Sequence, residues 1–133
     1  MKKMLLTLCV ATLVATGYKA EDKISEKDLR GAWRTETDGN QLVWINAGNY
    51  FASAIYSLKE KKFVGTAGGS WILENDEFVE TLEFNTLMPD KVGETLRSKI
   101  SMKGNKLVTT TPEGKQEVWT RIDNGTPGKL EGA

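Results

Sequence analysis

GAWRTETDGNQLVWINAGNY, residues 31–50, contains two apolar-rich segments separated by a strong turn signal. The first segment covers residues 32–37 and the second covers residues 41–46, with Asp38-Gly39-Asn40 between them. Asp-Gly between two such segments favours a tight β-hairpin, because both residues tolerate the positive φ angles that hairpin turns require. The stretch therefore predicts an antiparallel pair of strands at the start of the domain.

The same alternation of short β patterns and turn residues continues as far as residue 122. The connections are too short for helical crossovers, so the pattern predicts an antiparallel meander, in an all-β barrel or sandwich. Gly68-Gly69 is either a tight turn between two strands or a bulge within one. Counting it as a turn gives nine expected strands, at residues 32–37, 41–46, 50–57, 63–67, 70–74, 78–84, 94–103, 106–111 and 116–122.

Features at the two ends of this pattern indicate that the barrel is closed. Ser25-Glu26-Lys27-Asp28 is similar to a capping box and predicts a helical turn that ends before Gly31. Trp33 lies on the first expected strand and Arg121 on the last, and these strands are neighbours in a closed meander. Arg121 can then stack on the Trp33 indole, a contact that contributes about 0.5–2 kcal/mol. The helical turn would plug that end of a barrel of eight or nine strands.

The ordered combination of the helical turn, Gly31-x-Trp33 and the late Arg121 resembles the calycin superfamily, which includes the lipocalins and the fatty-acid-binding proteins. It is most similar to the small secreted lipocalin-like domains of bacteria, and the resemblance covers residues 25–122. It implies a lipocalin-like, up-and-down β-barrel domain over residues 21–123. It also implies that the barrel binds a small apolar or amphipathic ligand without catalysis, and that Gly31, Trp33 and Arg121 close the barrel.

The N-terminus has the pattern of a secretion signal. Met1-Lys2-Lys3 precedes an apolar segment at residues 4–14, which is shorter than the roughly 18 residues that span a bilayer. Residues 1–20 therefore predict a cleaved signal peptide, with cleavage after Gly17 or after Ala20. We expect a periplasmic or secreted protein that is not stably inserted in the membrane. Residues 124–133 carry no apolar pattern and predict a flexible tail.

Composition excludes several kinds of chemistry and partner. The chain has no histidine, and its one cysteine, Cys9, lies in the predicted signal. Ser–His–Asp and Cys–His catalysis and the usual zinc and copper sites are therefore excluded, and we expect no enzyme activity, metal or cofactor. Removal of residues 1–20 leaves 15 basic against 18 acidic residues, a net charge of −3. This charge argues against nucleic acid as a partner.

Glu80 is the acidic residue of most interest. It shares an alternation face with Phe78, Leu82 and Phe84, so its carboxylate either points toward the core or lies at the barrel rim. A buried carboxylate needs a partner, and Arg97 or Lys99 on the next strand is the expected one.

Aromatic residues provide the candidate ligand contacts. On the third expected strand, Tyr50, Ala52, Ala54 and Tyr56 share one face. If that face points inward, the alanines leave room for a ligand; if it points outward, Phe51 and Ile55 fill the interior. The candidate ligand-binding residues are Trp44, Tyr50, Tyr56, Trp71 and Phe84.

An alternative function is a closed barrel that acts as a protein-interaction module, such as an inhibitor or an envelope-assembly component. A barrel of this kind would bind no small molecule and would expose an apolar patch on its outer surface.

Overall fold

A computed structural model describes residues 23–123. Each strand pairs antiparallel with the next, and β8 pairs with β1, which closes an up-and-down barrel. The predicted all-β meander barrel is confirmed, whereas the predicted signal peptide (1–20) and tail (124–133) lie outside the described residues. The elements are α1 (Glu26–Leu29), β1 (Gly31–Thr37), β2 (Asn40–Ala47), β3 (Tyr50–Ser57), β4 (Lys62–Glu74), β5 (Glu77–Asn85), a 3-10 turn (Pro89–Lys91), β6 (Thr95–Lys103), β7 (Lys106–Thr110) and β8 (Gln116–Arg121).

Tight turns set the register of the hairpins. The turn between β1 and β2 has positive φ at both Asp38 (51°) and Gly39 (77°). The turn between β4 and β5 uses Asn75 and Asp76 in the same way, with φ values of 50° and 60°. Asn, Asp and Gly adopt this conformation most readily, and two consecutive positive φ angles match the twist of the flanking strands.

Gly68-Gly69 lies within the long, continuous strand β4, opposite a bulge on β5, so the barrel has eight strands rather than nine. Gly68 pairs with Phe84 and Gly69 pairs with Leu82, which leaves Glu83 as an extra residue on β5. A Cβ at Gly69 would overlap the carbonyl oxygen of Thr81, and one at Gly68 would overlap the Phe84 ring. Glycines are therefore needed on β4 where the bulged part of β5 lies close to it.

The bulge also reverses the alternation of side chains along β5. Phe78 and Leu82 are buried, but Phe84 is exposed because the extra residue, Glu83, shifts it to the outer face. The expectation that Phe84 shares a face with Glu80 is therefore wrong.

Aromatic rings form the centre of the interior. Phe78 contacts Trp44 edge-on with ring centroids 5.0 Å apart, and it stacks on Trp71 at 5.2 Å. Trp119 lies 5.3 Å from Trp44. Pairs of this kind contribute about 0.5–1.5 kcal/mol each beyond the burial of their area.

Helix α1 closes one end of the barrel, and three side chains bind its last carbonyl groups. Arg121 donates hydrogen bonds to the carbonyl oxygens of Asp28 and Arg30, each at 2.8 Å. The Leu29 carbonyl accepts from Trp33 Nε1 at 3.0 Å and from Asn46 Nδ2 at 2.9 Å. Because so short a helix leaves its C-terminal carbonyls without partners of its own, these donors hold it in place.

The predicted contact between the first and last strands is present. The Arg121 guanidinium carbon lies 4.2 Å from the centroid of the Trp33 ring. Gly31 has a φ of 121°, and a Cβ at this position would overlap the Arg121 guanidinium and contact the Asp123 carboxylate. Gly31 therefore gives Arg121 the space to reach both the indole and the helix carbonyls.

Candidate ligand-binding cavity

A cavity of about 250 Å³ opens at the end of the barrel opposite α1. Aromatic side chains of Trp44, Phe78 and Trp119 line its inner part. The remaining lining residues are aliphatic (Leu42, Ala67, Leu82, Met88, Leu96), aromatic (Phe51), hydroxylic or amidic (Ser53, Asn85, Ser98, Thr109, Thr111) and acidic (Glu80, Glu117). A mostly apolar cavity with a few polar groups is the usual form of a small-molecule site.

Strand alternation positions these side chains. On β3, Phe51 is buried and Ser53 lines the cavity, so Tyr50 and Tyr56 lie on the outer surface, where they are 57% and 40% exposed. The face of β3 that carries the tyrosines and alanines therefore points outward, which is the second of the two expected arrangements. A cavity is present all the same, because the small side chains of Ser53 and Ala67 leave interior space unfilled.

Of the five candidate ligand-binding residues, one lines the cavity, one is buried elsewhere and three lie on the outer surface of the barrel. Trp44 lines the cavity. Trp71 is buried but does not line it; its Nε1 donates a hydrogen bond of 3.2 Å to the Tyr50 carbonyl. The other three, Tyr50, Tyr56 and Phe84, lie on the outer surface of the barrel. The alternation of side chains along β3 turns both tyrosines outward, and the bulge on β5 turns Phe84 outward, where it is 43% exposed. These three candidates are removed from the interior site.

Glu80 lines the cavity, and no basic side chain of residues 23–123 forms an ion pair with it. It pairs in register with Trp71 on β4 and with Leu96 on β6. Burial in these surroundings raises the pKa of the Glu80 carboxyl to about 7.

The expected partners of Glu80 do not reach it. Arg97 lies opposite Val79, on the outer face, and forms an ion pair of 3.6 Å with Glu74. Lys99 lies opposite Glu77, also away from Glu80. The predicted pairing of Glu80 with Arg97 or Lys99 is wrong, because the parity of β6 turns both basic residues away from the interior.

Glu117 is a second acidic residue of the cavity, and sequence reasoning missed it. Its side chain is 22% exposed and lies 3.6 Å from the Lys115 ammonium group. The spacing of two between Glu117 and Trp119 on β8 was a usable signal, since both side chains then share a face. No comparable sequence pattern indicated that the hydroxyl groups of Ser98, Thr109 and Thr111 would line the cavity.

The wall around Trp119 is held by a specific hydrogen bond. Its Nε1 donates to the Thr109 hydroxyl at 3.1 Å, between neighbouring strands of the barrel. This bond and the contact with Trp44 fix the orientation of the indole before any ligand enters.

Residues 23–123 contain neither a metal-binding cluster nor a membrane-spanning helix. In this part of the chain, no group of three His, Cys, Asp or Glu residues is arranged to hold a metal ion. None of its helices is long and apolar enough to cross a bilayer.

Comparison with known proteins gives no assignment. No protein-family model matches the chain, and no curated protein matches it. The closed, eight-stranded antiparallel barrel with one short helix fits a calycin-like fold. The geometry of the cavity is therefore the basis for a functional conclusion.

Proposed function

We propose that this protein is an exported lipocalin-like barrel that binds a small apolar or amphipathic molecule and does not transform it. The observation that carries the proposal is the cavity opposite α1, with its aromatic inner part. Its volume of about 250 Å³ lies just below the roughly 300–1,000 Å³ typical of drug-sized ligands, so the ligand is small.

The rigidity of the walls supports binding. The lining residues project mainly from hydrogen-bonded strands, and the aromatic side chains pack against one another at 5.0–5.3 Å. A preformed site loses little conformational entropy on binding, so more of the contact energy is retained as affinity.

The chemistry of the cavity supports a binding protein rather than an enzyme. The titratable groups among its lining residues are the carboxyls of Glu80 and Glu117. The lining contains no histidine or cysteine, so a Ser–His or Cys–His nucleophile pair is absent from it. Export is proposed on the pattern of residues 1–20, and the final location is the periplasm or the extracellular medium.

A ligand screen with matched variants tests the proposal. Thermal-shift and native mass spectrometry measurements are made on the wild type, on Ser53→Phe and on Ala54→Phe. Ser53 lines the cavity and Ala54 is exposed on the outer face of the same strand. We expect ligands to bind the wild type and Ala54→Phe but not Ser53→Phe, because the new ring fills the cavity. Equal binding to Ser53→Phe, or no ligand in the screen, would reject the proposal.

A second candidate function, a protein-interaction module, is favoured by an apolar row on the outer surface. Ile45, Ala52, Gly68 and Phe84 are consecutive partners across four strands, and Ile45 and Phe84 are exposed. A photo-crosslinker at position 84, with position 120 on β8 as the control, tests this function. A discrete crosslinked protein at position 84 alone supports it, and equal crosslinking at both positions rejects it.

A further inference from the structure

We infer that the ligand is a small organic cation, with an apolar group against the aromatic inner part of the cavity and a protonated amine beside Glu80. The inference rests on the proposed ligand-binding function and adds the chemical class of the ligand.

An isolated carboxylate in apolar surroundings is costly to ionise. Glu80 lies between Phe78 and Leu82 along β5 and between Trp71 and Leu96 across the sheet. Ionisation in such surroundings is unfavourable unless an opposite charge is present. Glu80 takes part in no ion pair within residues 23–123, so a cationic ligand would supply the missing charge.

The titratable groups that line the cavity share one sign of charge. The elements that face Glu80 across the interior present Phe51 and Ser53 from β3, Thr109 from β7, and Glu117 and Trp119 from β8. Both titratable groups among the lining residues are therefore acidic, and Lys115 already pairs with Glu117. An anion such as a fatty acid would be repelled, and a neutral apolar ligand would leave Glu80 unpaired.

The aromatic inner part of the cavity also favours a cationic ligand. Trp44, Phe78 and Trp119 meet at edge-on and tilted angles of 88° and 59° and so present ring faces in different directions. A cation over such a face is attracted by about 0.5–2 kcal/mol, most strongly over Trp. The same rings pack against an apolar substituent, so one cavity can recognise both parts of an amphipathic amine.

Proton linkage gives the inference a signature in the unmodified protein. Burial raises the pKa of Glu80 to about 7, so the carboxyl is about half protonated at neutral pH. A cation binds the ionised form, so binding below this pKa must release a proton. Affinity for a cation should therefore increase with pH and become constant above the pKa, whereas affinity for a neutral ligand should not change.

Three probes that differ mainly in charge test the inference: 2-phenylethylammonium, 2-phenylethanol and phenylacetate. Calorimetry on the wild type above neutral pH should show the ammonium ion binding at least about 10-fold more tightly than the alcohol, with phenylacetate weakest. Glu80→Gln should lower affinity for the ammonium ion at least about 10-fold and leave that for the alcohol unchanged. Glu83→Gln, which alters an exposed carboxylate of the same strand, is the matched control.

A pH series on the wild type needs no variant. Affinity for the ammonium ion should fall about 10-fold per pH unit well below the pKa of Glu80, while that for the alcohol stays constant. Equal or tighter binding of the alcohol or phenylacetate, or an unchanged preference in Glu80→Gln, would overturn the cation inference and leave ligand binding intact. Binding of none of the three probes would overturn the cation inference, whereas the proposed function is rejected only if the wider ligand screen also finds no ligand.

Discussion

Replacing Glu80 by glutamine should stabilise the protein at neutral pH and have a much smaller effect in acid. Folding raises the pKa of this carboxyl from an ordinary value of 4.5 to about 7. Each unit of difference corresponds to about 1.4 kcal/mol, which gives about 2–3 kcal/mol after allowance for partial solvent screening. Because the folded state holds the proton more tightly, this contribution to stability is complete below pH 4.5 and is lost as the pH rises through about 7. The glutamine side chain keeps the shape of the neutral acid and does not ionise.

Urea unfolding of the wild type, Glu80→Gln and Glu83→Gln between about pH 4 and about pH 8 measures this effect. The free energy of unfolding of Glu80→Gln minus that of the wild type should grow by about 2–3 kcal/mol across the range. Titrations common to both proteins cancel in that difference, and Glu83→Gln should follow the wild type. A difference that stays constant with pH would show that the Glu80 carboxyl is not desolvated and would refute the reasoning.

Three further substitutions test the barrel itself by thermal or urea unfolding. Arg121→Met removes two hydrogen bonds to helix carbonyls and a cation–π contact, so we expect the free energy of unfolding to fall by about 2–4 kcal/mol. An equal fall in the exposed control Arg34→Met would contradict a specific role for Arg121. Gly69→Ala should cost at least about 2 kcal/mol because the new Cβ overlaps the Thr81 carbonyl, and a neutral effect would mean that the bulge is placed wrongly. Asn46→Ala removes a buried donor to the Leu29 carbonyl and should cost about 1–3 kcal/mol; an unchanged midpoint would show that this bond does not hold α1.

Local turn chemistry made most of the fold predictable. Asp38-Gly39 specifies a hairpin without reference to the rest of the chain, and short connections allow only antiparallel neighbours. Closure was predicted from Trp33 and Arg121, whose side chains are in contact across β1 and β8. Whether Gly68-Gly69 is a turn or part of a continuous strand was not decided, because the answer depends on how closely β5 approaches β4.

The lining of the cavity was less predictable, because strand parity was ambiguous. On β3, one face carries Tyr50 and Tyr56 and the other carries Phe51, so hydrophobicity alone does not choose the inner face. One extra residue on β5 then moved Phe84 to the outside. Trp44 lines the cavity, and its contact with a ligand stays a prediction. Arg97 and Lys99 point away from Glu80 because of the parity of β6, which the sequence of β5 does not specify.

The central claim, that the cavity opposite α1 is the ligand site, is tested most directly by the four indole N–H signals of ¹⁵N-labelled tryptophan. Trp44 and Trp119 line the cavity, whereas Trp33 is buried at the closed end, where its Nε1 binds the Leu29 carbonyl. On titration with 2-phenylethylammonium, we expect the Trp44 and Trp119 signals to shift in a saturable way and the Trp33 signal to stay in place. Saturable binding by calorimetry without any shift of Trp44 or Trp119 would place the ligand elsewhere and contradict the account.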